Sequence, residues 1–235
     1  TRDILINQDL VFFGGFASSL YSKYMDTKNP IVKKIPDFDV LSENPENSAN
    51  MLMNELDLKN LTMEKHNAIG EIIPEHIIVK LKKIPIVFIY KPIACHSYNV
   101  ITFNKEKIKV ATIDTILTFY LAFMYANLPY YNKDRLLCMA KLLFDVEAKN
   151  RLSQKGILKR FSINCYGHQK TLEEIRSEKS ENFKKLKNKP NSKEYEMWFL
   201  KYTPLNKKSK TKINKTKNKK TNKNKTMRKK NDYLF

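Results

Sequence analysis

Val11-Phe12-Phe13-Gly14-Gly15-Phe16-Ala17-Ser18-Ser19, followed further on by Asp37-Phe38-Asp39, is the stretch from which this chain is best read. Asp9 to Phe13 ends a buried element, and Gly14-Gly15 breaks it. Phe16, Leu20, Tyr21 and Tyr24 then recur at helical spacing, so a helix follows the glycines over 16–25. A polar, Pro-containing connection leads to 35–41, whose alternation predicts a strand with Asp37 and Asp39 on one side. This order has a chemical logic. Two glycines let backbone N–H groups approach a chain of phosphates, and the helix N-terminus behind them favours negative charge. Ser18 or Ser19 can add a hydroxyl donor. Two aspartates at i and i+2 project to one face and can hold Mg²⁺ between them. Left unscreened, that pair of like charges is costly. Two metals about 3.5–4 Å apart stabilise both the attacking and leaving oxygens of an in-line phosphoryl displacement.

Working outward, Ser48 to Leu56 reads as a short amphipathic helix. Glu75 to Leu81 and Ile84 to Tyr90 are β-branched runs joined at Lys82-Lys83. Asn99 to Phe103 and Lys107 to Ala111 form a hairpin turning near Asn104-Lys105-Glu106. The second half turns helical. Asp114 is read as the N-cap of a helix over 115–127. A second helix spans 133–153 and closes before Gly156. Thr171-Leu172-Glu173-Glu174 is a capping box opening a charged helix to about Leu186. Tyr195 to Tyr202 is a last aromatic segment before Pro204.

The chain has 235 residues with 44 Lys+Arg against 24 Asp+Glu, a formal charge of +20. Its 42% hydrophobic content allows a real core and excludes wholesale disorder. Thirteen of the cations lie between Asn206 and Lys230, where there is no acid; without them 31 basic residues face 24 acidic ones, a net +7. The excess points to a polyanion, nucleic acid before an anionic membrane surface. The longest apolar run, 113–128, falls short of the roughly 20 residues that span a bilayer. No signal peptide opens the sequence, and the first residue is Thr, so an upstream segment is expected to be missing. Cys95, Cys138 and Cys165 are an odd, scattered set, expected as reduced thiols.

The Gly14-Gly15 stretch with Asp37-Phe38-Asp39 resembles the signature of DNA polymerase β-like nucleotidyltransferases. More narrowly, Tyr90 to Asn99, Ile113-Asp114-Thr115, Cys165 to Leu172 and Glu194 to Pro204 resemble the poly(A) polymerase catalytic subunits of giant and other large DNA viruses. The resemblance covers roughly 5–204. It implies a mixed α/β (α+β) fold: a nucleotidyltransferase-type mixed sheet flanked by helices over 1–112, then a helical region over 113–205. The Lys/Asn-rich tail, 206–235, lies outside the resemblance and is expected from its composition to be disordered; the resemblance concerns the rest. It further implies template-independent addition of AMP from ATP to RNA 3′ ends with Mg²⁺ or Mn²⁺. Gly14, Gly15 and Ser18 would bind the triphosphate; Asp37 and Asp39 would be catalytic and bind the metals. Other implied partners are a second copy or a processivity or cap-modifying subunit, with no membrane. The setting the resemblance implies is viral, in host cytoplasm or in the virion, with nuclear targeting by the basic tail as the alternative.

The superfamily also uses a third carboxylate on a later strand, for which 84–91 is the natural place. It reads Ile84-Pro85-Ile86-Val87-Phe88-Ile89-Tyr90-Lys91, without an acid. Asp114 is a conceivable substitute, although a capping role suits it better. Two alternatives therefore stay open: a catalytically degenerate RNA-binding or dimerisation subunit, and a nucleotidyltransferase acting on a non-RNA acceptor. Cys95-His96 reads as packing, since adjacent strand residues point apart. Gly167 to Lys170 reads as a loop before the capped helix, with presentation of cations to RNA as the alternative. Tyr and Phe between 119 and 125 read as a core helix, and Tyr130-Tyr131 as its end. The Lys-rich tail admits an RNA tether, a nuclear-targeting patch or a loosely selected low-complexity end.

Overall fold

β1, Val11–Phe13, is only three residues long, and all three are buried, because it runs through the middle of a sheet with helices on both sides. A computed structural model of the chain describes residues 1–25, 37–70 and 72–199. The expected basic tail, the whole connection 26–34 and the first two residues of the strand expected over 35–41 lie outside the described residues. Thr1–Lys201 form one compact unit.

A short helix α1, Arg2–Asn7, precedes β1, and α2, Gly14–Tyr21, follows it without a break. Next come β2 (Phe38–Leu41), α3 (Pro45–Leu56), β3 (Leu61–His66), β4 (His76–Leu81) and β5 (Ile84–Tyr90). β6 (His96–Phe103) and β7 (Glu106–Ala111) form the expected hairpin, and β8, Cys165–Tyr166, closes the sheet. The strand order is β3-β4-β5-β2-β1-β7-β6-β8. β2 pairs antiparallel with β1 and parallel with β5, and β1 pairs parallel with β7, so the sheet is mixed as expected. Left-handed residues Lys82-Lys83 and Asn104-Lys105 make the two tight hairpin turns.

Helices α4 (Ile113–Ala126) and α5 (Lys133–Lys149) cover the sheet face that carries Asp39. Phe13 stacks on Phe119 of α4 at 4.5 Å between ring centroids, joining the two layers. α3 packs against β4 and β5 from the other side. α6 (Leu172–Leu186) and α7 (Lys193–Phe199) complete the unit. The capping box forms in full: Glu174 N–H donates to Thr171 Oγ1 at 3.2 Å, and Thr171 N–H to Glu174 Oε2 at 2.7 Å.

Several expectations need correction. The N-cap of α4 is Thr112, whose hydroxyl accepts from Thr115 N–H; Asp114 sits inside the first turn, where its charge suits the helix dipole. α5 ends at Lys149, four residues early, because Asn150 folds back onto the Val146 carbonyl at 2.8 Å. Cys95 and Cys165 are not separate thiols. Pairing of β8 with β6 brings their Cα atoms to 5.3 Å, within disulfide range, and they are linked. Strand β3 lies at the edge of the sheet with its four central residues exposed on both faces, so it has no strong apolar alternation and its sequence does not announce it.

Candidate active site

Asp39 lies opposite Phe13 on one side and Phe88 on the other. Asp37 is two residues earlier and lines the same cleft. The tight passage from β1 into α2 sets the site. Gly14 has φ +62°, a left-handed value that favours glycine, and a Cβ there would overlap the Asp39 carboxyl group. Gly15 N–H donates to Asp39 Oδ2 at 3.4 Å. A Cβ on Gly15 would lie 3.1 Å from Nη2 of Arg135, which arrives from the first turn of α5. The two glycines therefore let a carboxylate, a guanidinium and a helix N-terminus meet.

The electrostatics follow from crowding. Protein surrounds Asp39 on most sides, and the loss of water together with the neighbouring Asp37 charge pushes its pKa up to about 8. The Gly15 N–H and Arg135 oppose this without cancelling it. Asp37 is also raised by burial, with Arg135 pulling the other way. The rest of the cleft is aromatic: Phe88, Tyr90, Tyr120, Phe123, Tyr130 and Tyr131 line it. Behind Tyr90 the rings of His76 and His66 continue a cross-strand stack, at 4.7 and 4.9 Å between centroids. Tyr130 reaches over this stack, its hydroxyl 3.2 Å from His76 Nε2.

Of the residues picked from sequence, Gly14, Gly15, Asp37 and Asp39 come together. Ser18 does not join them. It is fully buried, and its hydroxyl pairs with Tyr120 Oη at 2.7 Å, because the helix turns that position toward α4. Ser19 donates back to the Phe16 carbonyl at 2.6 Å. Asp114 does not supply a third acid; it pairs with Arg160. Phe88 occupies the position opposite Asp39 where the strand could have carried one. Among the described residues, Asp37 and Asp39 are the acids lining the cleft, and no group of three or more His, Cys, Asp or Glu could hold a metal. His96 packs against Phe119, while His168 and Lys170 pair with Glu174 and Glu178 on α6. Sequence reading passed over Arg135, whose only signal is a cation in the first turn of a helix, where an acid is usual.

No protein-family model matches the chain, and neither does any curated protein. Solved structures do. The crystal structure of the Megavirus polyadenylate synthase matches at TM-score 0.57 and 14% identity, covering 77% of this chain and 39% of that one. This is a nucleotidyltransferase fold. The chain spans about two-fifths of the length of that synthase. ANT(2″)-Ia in complex with adenylyl-2″-tobramycin matches at TM-score 0.37 and 11% identity, over 64% of this chain and 91% of that one. Among the described residues of this nucleotidyltransferase fold, no helix is long and apolar enough to cross a membrane.

Proposed function

We propose that the cleft binds ATP and transfers its adenylyl group to the 3′ end of RNA, as a template-independent polynucleotide adenylyltransferase. The observation that carries this reading is the contact of Asp39 with the Gly14-Gly15 turn, which places an electrostatically uneasy carboxylate beside side-chain-free backbone at a helix N-terminus. Gly14 and Gly15 leave room for the phosphates, and Arg135 offers them a guanidinium. Asp37 and Asp39 hold a divalent cation, Mg²⁺ or Mn²⁺. The donor set suits one such ion: two hard oxygen ligands, both with raised pKa, whose mutual repulsion the ion relieves. When bound, the cation supplies charge stabilisation to the phosphoryl oxygens. Tyr130 and Tyr131 give the adenine a planar surface. The RNA 3′-hydroxyl gives up its proton to water as its oxygen bonds to the α-phosphorus, and the bond from that phosphorus to the oxygen bridging to the β-phosphate breaks, releasing pyrophosphate. The fold shared with a viral polyadenylate synthase supports this reading, as does the residue-level resemblance. It extends to a viral protein working on RNA, with a second copy or a processivity subunit.

The test is extension of a labelled oligo-RNA by the full chain with ATP and Mg²⁺ or Mn²⁺. Extension by the parent, lost in Asp37→Asn and Asp39→Asn, is the expected result. Equal behaviour of all three proteins sinks the proposal.

Phe88 favours a second reading. With an aromatic ring where a third acid could stand, the domain would bind ATP and RNA without transfer and serve a catalytic partner. That reading predicts saturable ATP binding by an inert parent, and AMP transfer appearing in Phe88→Asp.

A further inference from the structure

A second chemically marked surface lies outside the cleft. Between α5 and α6, residues 150–170 include five lysines and arginines and no acid. Apart from a single 3₁₀ turn at Gly156–Leu158 and the short β8, this segment is irregular, yet it is tied down. The Asn99 amide donates to the carbonyls of Ile157 at 3.2 Å and Lys159 at 2.7 Å. Ser162 Oγ donates to the Tyr98 carbonyl at 2.6 Å, and Tyr98 N–H donates to the Asn164 carbonyl at 3.2 Å. Ile157 is the buried anchor.

An anchored loop has the means to turn its apolar side chains inward, and this one does not. Leu152, Phe161 and Ile163 are 95%, 77% and 94% exposed. The cations around them divide in two. Arg160 is held by Asp114 and Glu147, at 3.3 and 2.8 Å, and its guanidinium carbon lies 5.6 Å from the Phe161 ring centroid. Arg151, Lys155 and Lys159 are exposed, and among the described residues none has an acidic partner. The surface thus offers an exposed ring with an arginine beside it, two apolar neighbours, and three uncommitted positive charges on an irregular backbone.

That combination discriminates between partners. A small anion would leave Phe161 and Ile163 unused. A duplex hides its base faces, so the ring would gain nothing. A single strand satisfies both halves, with phosphates meeting the cations and a base stacking on the ring. One register row of the sheet runs from Val40 through Phe12 and Val110 to Asn99, the residue that holds the loop. Its side chains point away from the face that carries Asp39, so Asn99 ties Ile157 and Lys159 to the opposite face, three interstrand steps of about 4.8 Å, roughly 14 Å, along the sheet from β2; the surface is thus separate from the cleft.

We infer that residues 151–163 form a platform for single-stranded RNA outside the cleft, with Phe161 as the stacking ring and Arg151, Lys155 and Lys159 as phosphate contacts. The inference rests on the proposed function only for RNA as the polymer; binding here requires no transfer. The experiment uses the full chain without ATP or metal. A single-stranded RNA 20-mer carrying 5-iodouridine is photo-crosslinked, the attached peptides are mapped by mass spectrometry, and affinity is followed by fluorescence anisotropy across a salt series. Expected are crosslinks within 151–163. Phe161→Ala should remove them and weaken single-strand binding about tenfold, leaving duplex binding unchanged. The combined Arg151→Gln, Lys155→Gln, Lys159→Gln variant should lower the log–log salt slope by about 2. These side chains are exposed, so unchanged melting temperatures establish that the variants are folded.

Crosslinks confined to the Lys-rich tail or the cleft overturn the inference. So does a Phe161→Ala variant with unaltered crosslinks and affinity. A change of oligomeric mass in Phe161→Ala with RNA binding intact makes the surface a protein interface and also overturns it. Asp37→Asn separates this from the proposed function. Crosslinks at 151–163 without AMP transfer by the parent refute catalysis and leave the platform standing.

Discussion

The Asp39 carboxyl group fills the space that a side chain on Gly14 would need. Strand pairing puts Phe13 beside Asp39, and the chain turns into α2 at the next residue with a left-handed φ. Backbone conformation and candidate chemistry are thus bound to one another at a single point.

Gly14→Ala meets both costs at once, a φ of +62° and an overlap with Asp39. A loss of about 1–3 kcal/mol from the backbone conformation alone is expected, with more from the clash. Thermal melting checks it. In an Asp39→Ala background the same substitution should cost less, because the carboxyl group is gone and only the φ penalty and a 2.7 Å approach to the residue-39 Cβ remain; equal costs in both backgrounds would show that the carboxyl overlap contributes nothing.

Asp39 also dictates a pH dependence. Its folded-state pKa, about 8, lies above the unfolded value near 3.9, so between these the folded state binds more protons. The contribution of Asp39 to stability therefore falls as pH rises from about 4 to 8 and levels off above. Melting temperatures of the metal-free parent and Asp39→Asn should diverge across that window, with the variant losing less. Added Mg²⁺ or Mn²⁺ should lift the parent at pH 8 and not the variant.

Arg135 opposes the upward shift of both aspartates. Arg135→Gln should weaken ATP binding roughly tenfold, the scale of one charged hydrogen bond. It should also move the acid limb of the transfer-rate profile to higher pH. A weakened affinity with an unmoved pH profile would assign Arg135 to the nucleotide alone.

The Cys95–Cys165 link closes a loop with a sequence separation of 70 residues. Replacing both by Ser should cost about 2–4 kcal/mol. A reducing agent should lower the parent's melting temperature toward that of the double variant and leave the variant unchanged. Mass spectrometry under non-reducing conditions counts the free thiols, with one, Cys138, expected.

What local sequence could specify, it specified well. The glycine turn, the β6–β7 hairpin and the Thr171 capping box all depend on groups within a few residues, where helical and strand periods act directly, whereas Asp37 precedes β2 and meets Asp39 in the cleft without being part of the strand. Ser18 shows the limit of such reading: two hydroxyls near a helix start look alike in sequence, and only packing against Tyr120 of α4 decides that this one is buried. The same holds for Arg135, Tyr130 and Tyr131, which reach the cleft because the α4–α5 hairpin lies across the sheet face. It holds also for Phe88, set opposite Asp39 by the parallel pairing of β2 with β5, and for Cys165, carried to Cys95 by an edge strand of two residues. Periodicity says which way a side chain points from its own element. Strand order and helix packing say what it meets there, and these arise from contacts dozens of residues apart that leave no local trace.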